Sequence, residues 1–399
     1  MHIALYSPNL KKQNHHLMPW RMIFEVSSHI CKAGHTVTVL SNEVVTSAQN
    51  WFSDEVEVKQ IKNPSGNDTL TNLLDVIKNE KIEVLFWPFA WYGAKKKAFI
   101  STKVTIPLIW YLPASYYCLN YVLRSIPFLS IKDVMPYMVQ AIYPKPYLAK
   151  RLASNNHTSM ITFSEFNRRA IIKAGFPSKN VITIMPGKSD ICICEGSTET
   201  FEKVKQQLKG NPFYLFFGPL AKIRGLDQLL KAFRLVLSQY PDLRLVCLFR
   251  SDPWINRKKF QQKIQQTEAE GKIICLWESV SRKDLSVFLE ACYAVVLPFL
   301  LVPSEIPLAV IETAGHAKPV ITTGPNGTAE FVEKFGLSIP PANFKALAAA
   351  MMLLFEDKLL YSQKCQMAKN VFDALPTWPD VAKSWLEVAQ KAAAEHENR

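Results

Sequence analysis

Two short stretches carry residues whose types and spacing suit phosphate chemistry. One is Gly218–Gly225, GPLAKIRG, which follows an apolar run and precedes a helical pattern. Gly218 lets the backbone turn tightly, Gly225 allows close approach at a helix start, and Lys222 and Arg224 supply positive charge. Charge-assisted hydrogen bonds to a phosphate contribute roughly 1.5–3 kcal/mol each. Basic residues ahead of a helix are often only solvated, so this loop alone is a weak signal. The other stretch is Pro298–Glu330, PFLLVPSEIPLAVIETAGHAKPVITTGPNGTAE. Its prolines end the strand Tyr293–Pro298 and force a loop. Leu308–Ala317 then reads as a helix, Pro319–Thr323 as a strand and Gly324–Gly327 as a turn. In such a unit the helix start, here Pro307, Leu308 and Ala309, sits at the carboxyl edge of a parallel sheet, where its amides favour an anion. Glu312 lies one turn further on, within reach of a polar group beside that anion. A phosphate next to a hydroxyl-bearing group describes a nucleotide.

The elements that must position these residues alternate along the whole chain. The first half reads as strands His2–Ser7, Thr36–Leu40, Val84–Trp87, Thr105–Leu112, Ser159–Phe163 and Val181–Met185. Between them come helices at Trp20–Ala33, Thr69–Glu80 and Glu165–Ala174, with further helix inside Ile131–Leu152. Asp190–Asn211 lacks a strong apolar period and reads as a linker with one short polar helix. The pattern then restarts with strands Phe213–Phe217, Leu243–Phe249 and Ile273–Leu276, and helices Leu226–Gln239, Arg257–Glu270 and Arg282–Ala291. Helices Phe344–Phe355, Leu359–Ala374 and Trp378–Ala394 close the chain. Strands separated by helices throughout predict an α/β protein of two doubly wound, Rossmann-like domains facing a cleft. The boundaries predicted are 1–190, 191–375 and a terminal helical segment 376–399. No short repeat period is evident, which excludes a solenoid.

Composition narrows the function classes. With 399 residues, 48% hydrophobic and 20% charged, the chain is long enough for two cores. Its eight cysteines form no C-x-x-C pair, and Cys192 and Cys194 are too close for a zinc ribbon, so free thiols in a reducing cytosol are expected and no metal. The chain opens almost directly on a strand, which predicts a cytoplasmic protein. Val104–Leu123 is uncharged and long enough to span a bilayer, but Pro107, Pro113, Ser115 and Asn120 argue against it; it reads as a buried strand followed by a loop. The net charge of +13 is uneven: residues 85–151 hold nine basic residues against Asp133 alone, with fifteen aromatics among them. Such a surface suits an anionic membrane face or a phosphate-bearing acceptor, hence a peripheral position on the inner face. A nucleic-acid partner would rest on charge alone and is set aside.

The two phosphate-type stretches together, GPLAKIRGLDQLLKAF and the Pro298–Glu330 segment, resemble the C-terminal half of the family-4 glycosyltransferases, retaining enzymes with the GT-B fold that use nucleotide-sugar donors. The resemblance extends more faintly through AGHTVTVLS, MITFSEFNRRAII, VITIMPGKSD and TWPDVAKSWLEVAQK, the last similar to a closing helix that crosses back to the first domain. It implies that Lys222 and Arg224 hold the donor diphosphate beside Gly218, that the amides of Leu308 and Ala309 meet the distal phosphate, and that Glu312 accepts from the ribose. A glutamate eight positions before Glu312 would bind the sugar; Ser304 stands there, with Glu305 one residue on, and Glu305 is expected to take that role. The glycine pair of the family's N-terminal loop is replaced by KKQNHH, and the usual histidine falls at Pro113, so His15 or His16 is the substitute to consider, unless both are simply solvated loop histidines.

The resemblance implies metal-independent, retaining transfer of a sugar, from a UDP-sugar rather than a GDP-sugar, to a lipid-linked, saccharide or small-molecule acceptor, with no further cofactor. A base pocket is expected around Arg250 and Trp277–Val280. Two rivals share the scaffold: a nucleotide-sugar epimerase, and a non-catalytic subunit that binds nucleotide sugar or a partner, which the missing histidine and glycine pair favour.

Overall fold

A computed structural model of the chain describes residues 1–11, 14, 17–43, 56–61, 67–89, 104–142, 158–188, 196–250, 257–266, 269, 271–302 and 304–398. They form two parallel sheets flanked by helices. The first contains β1 (His2–Tyr6), β2 (Thr36–Ser41), β3 (Glu57–Gln60), β4 (Val84–Pro88), β5 (Leu108–Leu112), β6 (Thr158–Thr162) and β7 (Val181–Thr183), in the order β3-β2-β1-β4-β5-β6-β7. Its helices are α1 (Trp20–Lys32), α2 (Asn67–Asn79), α3 (Leu119–Ser125), α4 (Ile131–Ile142) and α5 (Glu165–Lys173). Strand β5, LIWYL, is buried at every position, as a strand covered on both faces must be.

The second sheet contains β8 (Phe213–Gly218), β9 (Arg244–Phe249), β10 (Ile273–Leu276), β11 (Ala294–Leu297), β12 (Val320–Thr323) and β13 (Leu337–Ile339), in the order β10-β9-β8-β11-β12-β13. Helices α6 (Glu199–Leu208), α7 (Leu226–Gln239), α8 (Arg257–Gln266), α9 (Arg282–Ala291), α10 (Leu308–Gly315), α11 (Gly327–Val332), α12 (Phe344–Glu356) and α13 (Lys358–Asp373) pack around it. Both sheets are doubly wound, and in each the order reverses at one point: between β1 and β4, and between β8 and β11. Crossovers leave such a point in opposite directions and open a crevice at the carboxyl ends of the strands.

The last helix, α14 (Trp378–Glu397), covers the first sheet rather than the second. Trp385 lies 4.9 Å from the Phe86 ring and 5.5 Å from Tyr111, centroid to centroid. The chain crosses between sheets where Gly187 meets Trp378; a Cβ on Gly187 would fall 2.7 Å from the indole. Lys188 secures the crossing, its N–H donating to Pro376 O at 2.8 Å and its Nζ to Asp373 O at 2.6 Å.

Four elements depart from the sequence reading. Strand β3 is short and polar, and β13 has three residues, so neither shows a period. The turn expected at Gly324–Gly327 runs into α11, capped by Asn326, whose side chain accepts from the Ala329 N–H at 2.9 Å. The loop expected up to Leu123 contains α3. Its buried apolar residues, Tyr121 and Val122, join Tyr117 and Val134 in the core of the second sheet, so partners far along the chain order this segment.

Candidate functional site

Both phosphate-type stretches lie at the reversal point of the second sheet, the one after β8 and the other after β11. Gly218 has φ 135°, a left-handed conformation that favours glycine, and lies beside the Arg224 guanidinium, whose Nη1 is 3.9 Å from where a Cβ would stand. Lys222–Arg224 forms a single 3₁₀ turn. Gly225 follows at φ 73°, where a Cβ would fall 1.8 Å from Pro298 O, so only glycine lets the first loop close on the end of β11. The Leu300 N–H donates to Ile223 O at 2.8 Å. The two loops therefore form one unit.

Within that unit Lys222 is exposed and Arg224 is largely covered. The Arg224 guanidinium stands 5.1 Å from the Phe299 ring centroid, and its Nε is buried with no hydrogen-bond partner. Burial pulls its pKa down to about 10; the like charge of Arg250 acts in the same sense and Tyr137 of α4 opposes it. It stays cationic at neutral pH, so a desolvated positive charge with a spare donor waits at the crevice. An anion there would supply what the buried donor lacks.

After β11, α10 begins at Leu308 behind the N-cap Pro307, which is extended and buried, and no side chain caps the first turn. Leu308 and Ala309 are half-buried, and Leu308 touches the cores of both sheets. Glu312, one turn on, is half-buried, with its carboxyl pushed above the usual range by burial against the opposing pull of Arg282 and Arg21. Arg21 comes from α1 of the other domain, where it also pairs with Glu25. Sequence reasoning missed both arginines. Each is an ordinary charged helix residue, and nothing local marks it as a neighbour of Glu312.

Ser304 and Glu305 are both buried, Glu305 completely. The expectation for Glu305 was a reach toward a donor sugar, whereas the structure turns it to the first domain. Its N–H donates to Pro113 O at 2.8 Å, its carbonyl accepts from Thr328 Oγ1 at 2.7 Å, and its Oε1 accepts from Ser164 Oγ. Gly327 leaves the space, since a Cβ there would fall 1.9 Å from Oε1. Burial pushes the Glu305 carboxyl up to about 7; Ser164, Ser115 and Asn167 oppose this and Glu330 adds to it. Its Oε2 has no partner. Ser164 was readable as the α5 N-cap, its side chain accepting from the Asn167 N–H at 3.0 Å, but not as a bond across domains.

More of the first domain reaches the same loop. Tyr117 Oη accepts from the Val302 N–H at 2.5 Å, and Ser125 Oγ donates to Leu300 O at 3.0 Å. Tyr121 Oη lies 3.3 Å from Thr323 Oγ1, and Glu330 pairs with Arg169 while accepting from the Phe166 N–H at 3.1 Å. Of the expected base pocket, Arg250 follows β9 with its N–H on Gly218 O at 3.3 Å, and Trp277 stacks on Phe249 at 4.9 Å. His15 lies outside the described residues.

Comparison with known proteins bears on this arrangement. Residues 197–371 match the model of the family described as "Glycosyl transferases group 1". No curated protein matches the chain in sequence. Among solved structures, a glycosyltransferase from Rickettsia africae is 14% identical with a TM-score of 0.74, covering 98% of each chain. Sucrose-phosphate synthase from Thermosynechococcus elongatus is 16% identical, TM-score 0.71, covering 99% of each. Anabaena HepE in complex with UDP is 17% identical, TM-score 0.70, covering 98% of this chain and 100% of that one. At these identities the structures speak for the fold, the two-domain GT-B architecture, and the family model speaks for the second domain that carries both phosphate-type loops. Residues 197–371 are in this way similar to the group 1 glycosyl transferases.

Proposed function

We propose that the chain moves a sugar from a nucleotide-sugar donor to an acceptor with retention of configuration, in the manner of the family-4 enzymes. One observation carries the reading: Arg224, cationic and with a buried unpartnered Nε, follows β8, and the uncapped start of α10 follows β11, the two strands that flank the reversal point of the second sheet. Lys222, Arg224 and the amides of Leu308 and Ala309 hold the donor diphosphate beside Gly218, and Glu312 accepts from the ribose. In the transfer step the bond from the anomeric carbon to the diphosphate oxygen breaks as positive charge grows on the sugar. Stabilising the leaving diphosphate is then the main demand, and fixed cations and amides meet it without a metal. The acceptor oxygen bonds the same face of the anomeric carbon, and its proton passes to the departing phosphate oxygen. UDP is the favoured nucleotide, since the similar HepE was solved with UDP and with UDP-glucose. The acceptor is a lipid-linked glycan, a saccharide or a small molecule, met at the inner face of a membrane.

Calorimetry with UDP-glucose and with GDP-mannose tests the donor site. Arg224→Ala should weaken the preferred donor by about 1.5–3 kcal/mol, roughly 10- to 150-fold. Unchanged affinity would remove Arg224 from the diphosphate. A transferred sugar of inverted anomeric configuration, read by NMR, would sink the retaining mechanism. The burial of Glu305 on Ser164 favours a second reading, a subunit that binds the donor without transferring it. Donor binding with no transfer to any acceptor class would select it.

A further inference from the structure

Among the described residues, exposed apolar side chains are concentrated in one place. Of the twelve exposed large hydrophobic side chains among the described residues, eight lie within 119–142. Helix α4 shows the arrangement. Val134, Tyr137, Met138 and Ala141, spaced three and four apart, pack against the core of the second domain. Ile131, Met135, Val139 and Ile142, at the same kind of spacing on the other side, are 78%, 53%, 37% and 63% exposed. Leu123 and Phe128 extend the outer stripe toward α3. A helix apolar on its packed side normally turns charge to water on the other. Here the outward side is apolar too, which marks contact with a second apolar phase.

Charge selects that phase. Arg124 and Lys132 stand exposed beside the stripe, and Asp133, the one acidic residue within 119–142, is half-buried and accepts from Ser130 Oγ. Two copies of the chain meeting here would bring like charges together. An anionic bilayer would instead offer phosphates to the basic rim and hydrocarbon to the stripe. No helix among the described residues is long and apolar enough to cross a membrane. We propose that the outer face of α3 and α4 docks in the plane of an anionic lipid surface, with Leu123, Phe128, Ile131, Met135, Val139 and Ile142 entering the headgroup–acyl boundary. The inner face of α4 brings Tyr137 within electrostatic reach of Arg224, so an acceptor borne by that membrane would arrive beside the donor diphosphate. That consequence, and not the docking itself, rests on the transferase reading.

Flotation of the full chain with phosphatidylcholine vesicles containing about one-third phosphatidylserine tests the docking. The wild type should float with these vesicles at low salt and much less with pure phosphatidylcholine. Ile131→Glu with Met135→Glu, both at exposed positions, should lower the bound fraction by about tenfold or more. Leu359→Glu, at a 71% exposed site on α13, should leave it unchanged. A wild type that stays with the soluble fraction, or a double variant that floats as well as the wild type, would overturn the proposal. So would a wild-type dimer that the double variant turns into monomer without any flotation, which would assign the face to a second copy. Thermal-shift measurements with UDP-glucose on the same proteins report the donor site separately. No shift there would count against the transferase reading and leave a positive flotation result standing.

Discussion

Replacing Glu305 with glutamine should change how the stability of this chain depends on pH, and the structure supplies both sign and size. The Glu305 carboxyl is completely buried, accepts from Ser164 on one oxygen and has no partner for the other. Burial raises its pKa from an ordinary 4.5 to about 7. Between those values the folded chain binds more protons than the unfolded one, so stability falls as pH rises from about 4.5 to about 7 and levels off above that. A rise of about 2.5 units at about 1.4 kcal/mol each gives roughly 3 kcal/mol. Glutamine has nearly the same shape, can accept from Ser164 and cannot ionise. Urea unfolding at pH 5, 6, 7 and 8 should show Glu305→Gln gaining on the wild type by roughly 3 kcal/mol across that range, with most of the gain below about pH 7. Parallel pH profiles would show that the carboxyl is not desolvated. A gap that widens toward acid pH would show that Ser164, Ser115 and Asn167 hold Glu305 ionised, the opposite of the argument.

Other contacts give independent checks. Gly225→Ala places a Cβ 1.8 Å from Pro298 O at φ 73°, and should destabilise by about 1–3 kcal/mol or more; an unchanged melting temperature would mean that the two loops do not pack as described. Tyr117→Phe leaves the Val302 N–H buried and unpaired, at about 1–3 kcal/mol, and urea unfolding at neutral pH reads it. Trp385→Ala opens a cavity between α14 and the first sheet, where the indole is packed on Phe86 and Tyr111. It should cost about 3–5 kcal/mol and expose α14 to limited proteolysis; a resistant helix would show that other contacts hold it.

Much of this architecture is written locally in the chain. Leu226–Gln239, Ile273–Leu276 and Arg282–Ala291 fall in the structure where their apolar spacing places them, because a helix or a buried strand declares its period within a few turns. The glycines that bracket the phosphate-type loop are legible for a similar reason: a tight turn before a helix needs them at Gly218 and Gly225, and both take positive φ. The strand order is a different matter. That β8 lies beside β11, bringing the loops that follow them to one reversal point, follows from how the crossovers pack, and no window of sequence contains both. The same holds for Arg21 and Arg282 around Glu312, and for the outward apolar stripe of α4, whose residues look like core until the other side of the helix is seen to be packed. Glu305 shows the limit most sharply. Its place one residue after Ser304, the register at which the resemblance puts a sugar-binding glutamate, suggested a sugar ligand, yet its carboxylate accepts from Ser164, 141 residues away in the other domain. The sequence alone determined that a carboxylate, Glu305, would stand on the loop before α10. Which groups would surround it, and so whether it meets a sugar, water or a serine hydroxyl, was decided by the meeting of two surfaces that only the folded chain brings together.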